Sequence, residues 1–201
     1  MRLEKTSSAP GTRERKRQET LQRITAAGVK LFSTKGYDET TLDEVAAAAG
    51  ISRRTFFHYF KSKDDILLSL QRGMGERVVA ALADQPAGAP PLEAARDALL
   101  SVLAPMATDD LLAIDKLMRS SEAVQARKHA SYKQDEETLF AALRARYQDE
   151  NPMILRLVAT LSVTLGRVAI DTWLSEGATR LLTDVVLETF ASLGRVNLPR
   201  P

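Results

Sequence analysis

The 201-residue chain contains no cysteine, so disulfides, thiolate metal sites and cysteine nucleophiles are excluded. That is compatible with a reducing compartment. Histidine is nearly absent too, with only His58 and His129, far apart in sequence. No phosphate-cradling glycine loop and no strand-turn-helix serine elbow occurs. No assembled chemistry is visible, and the expectation is a non-enzyme without cofactor, metal site or catalytic residues. Runs of about 18 apolar residues are not evident, and Met1-Arg2-Leu3-Glu4-Lys5 lacks the apolar centre of a signal peptide. A soluble, cytoplasmic protein with no membrane partner is therefore expected. Alternating Val/Ile/Thr stretches are lacking as well, which argues against strands.

What is present is helical. Hydrophobic residues make up 44% and charged residues 27%, enough for a folded chain with a real core. Helical spacing predicts an all-α fold of about nine helices. Their expected ranges are roughly 13–34, 41–49, 52–60, 63–83, 91–104, 109–120, 122–149, 152–175 and 179–194. The first carries Leu21, Ile24, Gly28, Leu31 and Phe32 on one stripe and stops at Gly36. Asp84-Gln85-Pro86-Ala87-Gly88-Ala89-Pro90-Pro91 is a linker, and Pro105 and Asn151-Pro152 punctuate later helices.

Charge is uneven. Residues 1–72 carry 14 Lys/Arg against 9 Asp/Glu, whereas the remainder carries 14 against 17. A basic first third either meets a polyanion or reflects ordinary surface scatter, and charge alone leaves both open. Six of the eleven aromatics fall between residues 32 and 60, which suits the core of a small three-helix unit.

The informative stretch runs from Thr40 to Phe60. Thr41 followed by Glu44 is a capping box that specifies a helix start. Val45 and Ala49 make that helix's buried face, and Ala46 is small where a second helix crosses. Gly50 supplies the turn, Ile51 plugs the gap, and Ser52 caps the next helix. On that helix Phe56 and Phe60 face inward, while Arg53 with Phe57 and Arg54 with His58 face outward. Such a helix presents its N-terminal half to a DNA major groove, where Arg donates two bonds to guanine. Ser52 and Thr55 suit phosphate oxygens, and Tyr59, Lys61 and Lys63 lie at the edge that holds the backbone. Thr41 is a cap first, and either a cap alone or a cap that also bonds a phosphate. His58 is either a titrating switch or a surface side chain facing phosphate. The Arg13-Glu14-Arg15-Lys16-Arg17 run is either a DNA-contacting arm or a solvated tail.

Gly36-Tyr37, Thr40-Thr41, Val45-Ala46, Ala49-Gly50-Ile51-Ser52, Phe56-Phe57, Tyr59-Phe60, Ser62-Lys63 and Leu67 together resemble the N-terminal domain of TetR-family regulators, over residues 14–70. Phe57 departs from the tyrosine that many members carry and lacks its hydroxyl. The resemblance implies a homodimer with a variable C-terminal domain that binds a small effector, and repression relieved by that effector. The organisation expected is an arm at 1–12, a helix-turn-helix domain at 13–62 with its motif at 41–60, an effector-binding and dimerisation domain at 63–195, and a tail at 196–201. The partners implied are palindromic double-stranded DNA and a small, hydrophobic or acyl-CoA-like molecule. The latter rests on a faint similarity of residues 122–146 to regulators that sense such ligands. The rival reading is a helical protein-interaction module that has lost DNA binding.

In the C-terminal part, residues 152–175 are apolar on two faces. Leu155, Val158, Ser162, Leu165, Ala169 and Trp173 form one stripe; Ile154, Leu157, Leu161, Val168 and Leu174 form the other. One face suits the core of its own domain and the other a partner chain, with the final helix completing a four-helix interface. Met106, Met118, Tyr132, Phe140 and Trp173 are candidates to line an effector cavity, although side chains of each kind are more often plain core. Arg167 and Asp171 are either a structural ion pair, the favoured reading, or polar anchors in that cavity.

Overall fold

The computed structural model describes residues 11–119 and 121–195; residues 1–10 of the arm expected at 1–12, and the tail at 196–201, lie outside them. Among these residues are nine α-helices and a closing 3-10 turn, with no strand. The helices are α1 (Thr12–Lys35), α2 (Leu42–Ala48), α3 (Arg53–Tyr59), α4 (Lys63–Ala83), α5 (Pro91–Leu103), α6 (Thr108–Met118), α7 (Glu122–Arg146), α8 (Pro152–Ser175) and α9 (Leu182–Ser192). The Arg13–Arg17 run is helical, forming the first turns of α1 rather than an extended arm.

The chain divides into two compact units, the first ending at Leu70 and the second beginning at Gln71. The sequence places this boundary eight residues earlier, at Ser62. The first turns of α4 belong with α1 because Ile66 and Leu67 are fully buried. A Cβ on Gly28 of α1 would stand 3.0 Å from Ile66 Cγ2. The hydroxyls of Thr25 and Ser69 also bond at 3.2 Å. The two helices therefore approach closely only because residue 28 has no side chain. Gly28→Val is expected to overpack this seam and destabilise the first unit by about 1–3 kcal/mol. Thermal melting followed by circular dichroism, with the second unit's transition unmoved, checks it.

The core of the first unit consists of Ile24, Phe32, Val45, Ala46, Ala49, Phe56, Phe60, Ile66 and Leu67, all buried. Phe32 meets Tyr37 edge-on at 5.0 Å, and Phe56 lies 5.9 Å from Phe60.

The second unit holds two packed clusters. Leu82, Ala94, Ala95, Ala98, Leu139, Leu143, Leu155, Val158 and Ala159 form one. Leu103, Ala169, Trp173, Leu182, Val185, Val186 and Phe190 form the other. Helix α8 runs through both. It packs against α5, α7 and α9, and at Gly166 Leu99 Cδ2 comes within 3.1 Å of where a Cβ would stand. Arg146 donates to the carbonyls of Ala83 and Pro86, and the Tyr147 hydroxyl to that of Ala89. These bonds satisfy carbonyls at the end of α4 and in the 84–90 linker that no helix satisfies.

Two expectations need correction here. The last helix begins at Leu182, not near 179. Gly177 and Ala178 both take positive φ (73° and 55°), and the Trp173 indole donates to the Arg180 carbonyl at 2.8 Å. Those restraints fold residues 177–181 into a tight loop instead of a first helical turn. The second concerns apolar length: α8, with mean hydropathy 1.7, is long and apolar enough to cross a membrane by length and composition. Its helical neighbours and its charged Arg156, Arg167 and Asp171 fit the central helix of a packed bundle better.

Candidate nucleic-acid interface

The site is assembled from local signals that close on one another. The Thr41 hydroxyl accepts from the Glu44 amide at 3.3 Å, and the Glu44 carboxylate accepts from the Thr41 amide at 2.8 Å. This is the complete capping box. Glu44 is also paired with Lys35 at 2.6 Å. That hydrogen bond, more than those from Thr41, lowers its pKa to about 2, so the box stays charged across the physiological range. Gly50 takes φ +67°, a conformation costly for other residues. Ile51 then returns its amide to the Ala46 carbonyl at 3.0 Å. Ala46 is 2% exposed, and a larger side chain at that position would push the helices apart.

The Ser52 hydroxyl accepts from the Thr55 amide at 3.1 Å and bonds the Thr55 hydroxyl at 2.9 Å, capping α3. On α3 Phe56 is fully buried, while Arg53, Arg54, Phe57 and His58 are exposed, as their spacing predicts. Thr55 and Tyr59 are half-buried, and Lys61 is exposed. Arg54, Thr55, Phe57, His58 and Tyr59 line one open depression. Thr41 is exposed, with its hydroxyl occupied by Glu44.

The two arginines differ. Arg53 Nη1 lies 2.7 Å from an Asp43 carboxylate oxygen, and its guanidinium stands 5.7 Å from the Phe57 ring centroid. The Arg54 side chain has no hydrogen bond or ion pair among the described residues. Asp43 was not singled out from sequence. It precedes Arg53 by ten residues across a turn, so its only signal is an acid beside a cap.

Lys63 also departs from expectation. Its Nζ donates to the carbonyls of Tyr37 at 2.7 Å and Asp38 at 3.2 Å, and stands 4.6 Å from the Tyr37 ring centroid. Two of its three donors thus clamp the α1–α2 loop, and one is left for a phosphate. Its primary role here is to hold α4 to that loop, a task shared with the bond from the Tyr37 hydroxyl to Asp64.

The candidate effector residues fall into separate groups. Phe140 packs on the first cluster of the second unit, with Arg156 stacked 4.0 Å from its ring centroid. Trp173 is 1% exposed in the second cluster, where Met106 also packs. Met118 is 4% exposed. These side chains fill core instead of lining one shared space. Arg167 and Asp171 form the expected i,i+4 pair at 3.4 Å, and Arg167 lies 6.0 Å from the Tyr132 ring centroid. Burial, followed by the Asp171 charge, raises the Tyr132 pKa, so its hydroxyl keeps its proton at neutral pH.

Two short helices across a glycine turn, the second offering a basic outer face, define the first unit as a helix-turn-helix domain. Residues 24–70 match the family described as bacterial regulatory proteins, tetR family. The transcriptional regulator TcmR of Streptomyces glaucescens is 34% identical over 110 residues, which are 55% of this chain and 49% of TcmR. The match thus spans about half the length of that curated relative. Among solved structures, FadR of Thermus thermophilus in complex with lauroyl-CoA superposes with a TM-score of 0.55 at 23% identity, covering 90% of this chain and 96% of that one. FadR of Bacillus subtilis in complex with stearoyl-CoA gives 0.57 at 21% identity, covering 86% and 96%. At such identities the likeness is one of fold.

Proposed function

We propose that the protein is a homodimeric, cytoplasmic transcriptional regulator that reads a palindromic operator through α3 and is released from it by a small-molecule effector. The observation that carries this reading is the outer face of α3. A seven-residue helix is too short to be stable alone, yet the Ser52 cap and the buried Phe56 and Phe60 hold it rigid. What it then exposes is two guanidinium groups, His58 and Phe57. An interaction module that had lost DNA binding would have no use for cations presented so rigidly.

Dimerisation is supported by α8 and α9. Met153, Ile154, Leu157 and Val168 are exposed, at 72%, 46%, 56% and 38%, as are Leu181 and Leu187. Solvent-facing apolar side chains at this density suit a partner surface. A second copy supplies the second recognition helix, and two helices about 34–36 Å apart reach successive major grooves.

The effector class is hydrophobic or acyl-CoA-like, in keeping with the ligands named for the two FadR structures. A coupling of about 1–3 kcal/mol between effector and operator would change affinity roughly 5–150-fold.

Arg54→Ala tests base reading directly. The variant is expected to lose about 1–3 kcal/mol on the preferred duplex and to relax sequence preference. Anisotropy titrations on that duplex and on random DNA, at two salt concentrations, separate this from phosphate contact. Equal losses on both DNAs would rule out base reading by Arg54.

A further inference from the structure

The two neighbouring arginines of α3 are held in different ways, and the difference comes from α2. Asp43 stands in the first turn of α2 and Arg53 opens α3. Between them runs one charge-assisted bond of 2.7 Å, within the range for such pairs. On its other side the Arg53 guanidinium stands 5.7 Å from the Phe57 ring centroid, and Phe57 meets the buried Phe56 edge-on at 5.7 Å. The series Asp43, Arg53, Phe57, Phe56 leads from a solvent-facing carboxylate to the core. Arg54, the next residue, has no such support among the described residues.

We propose that Asp43 is a positioning residue that fixes the Arg53 fork against Phe57, so that Arg53 addresses a base edge instead of a phosphate. This rests on the reading of α3 as a DNA-reading helix. Three physical points carry it. A long side chain held by a bond and a ring loses less rotamer freedom on contact than a free one. The planar guanidinium matches guanine O6 and N7 only in one orientation. The paired carboxylate also offsets the charge that Arg53 would offer a phosphate, so the contacts of Arg53 with random DNA, which offers the protein chiefly phosphates, are disfavoured. The pair is exposed, 60% at each side chain. Exposed pairs contribute little to stability, so its removal should alter binding and not folding.

The test uses the full chain and a labelled duplex selected by it from a randomised pool, with a scrambled duplex as comparison. Asp43→Asn keeps the side chain's shape and removes its charge. It is expected to lower the ratio of specific to random affinity roughly tenfold, the scale of one good base contact. On scrambled DNA the salt slope should steepen by about one, because Arg53 is freed to a phosphate. Asp43→Glu should restore much of the ratio. In an Arg53→Ala background, Asp43→Asn should change the ratio little. An unchanged ratio in Asp43→Asn, with the wild type still discriminating, overturns the inference and leaves the DNA-reading assignment standing. The same drop in the Arg53→Ala background overturns it too, because Asp43 would then act only as a repelling charge. Failure of the selection to yield any preferred duplex removes both the assignment and the inference.

Discussion

Leu157→Glu is expected to leave the fold intact and yield a monomer that has lost most of its operator affinity. Leu157 is 56% exposed on α8, one turn from Ile154 and on the stripe that continues through the half-buried Leu161. An exposed position contributes little to folding, so the protomer should lose no more than about 0.5 kcal/mol of its own stability, and any further fall in melting temperature should be the concentration-dependent part that association supplies. Across an apolar interface the same carboxylate would be buried without a partner and would meet its own copy, since a two-fold interface pairs like surfaces. Loss of the dimer removes the linkage between two half-site contacts. Linkage of this kind multiplies affinity by about 10²–10⁴. Sedimentation and operator titration on one sample check both halves of the expectation. A variant that remains dimeric and binds normally would remove this face of α8 from the interface.

Phe56→Ala should act in the opposite way, through the fold. Phe56 is fully buried, in edge contact with Phe57 and tilted against Phe60. Truncation of a buried phenylalanine costs about 3–5 kcal/mol, and small domains have little stability to lose. The first unit is expected to unfold at or near physiological temperature and DNA binding to vanish. The second unit has two clusters of its own and should keep a separate melting transition. Two-stage loss of helical ellipticity, the lower stage displaced downward, checks this.

The elements that sequence specifies well are those whose causes are local. Thr41, Gly50 and Ser52 act on backbone groups three or four residues away, so capping boxes, turns and the alternation of Phe56 and Phe60 with Arg54 and His58 can be read from spacing alone. Interactions that depend on how helices cross are not legible in this way. The Asp43–Arg53 pair spans ten residues and the Lys63 bond to Tyr37 spans 26. Nothing in the local pattern says that Lys63 will turn toward a carbonyl instead of solvent. The effector candidates show the same limit more severely. Met106, Phe140 and Trp173 are the right chemical types for a cavity, but packing puts Met106 and Trp173 in one cluster and Phe140 in the other. The stop before α9 likewise depends on a tertiary bond, from Trp173 to Arg180.

On the function proposed for α3, its arrangement separates legibility of an operator from the ability to fold. Everything that keeps the helix in place points inward or along the backbone: Phe56, Phe60, the Ser52 cap and the Ala46 approach. Arg53, Arg54, Phe57 and His58 face solvent, and exchange of exposed residues rarely moves stability by more than about 0.5 kcal/mol. The scaffold is therefore free to be rewritten at four outward positions, acquiring a new address on the chromosome while its architecture stays as it is.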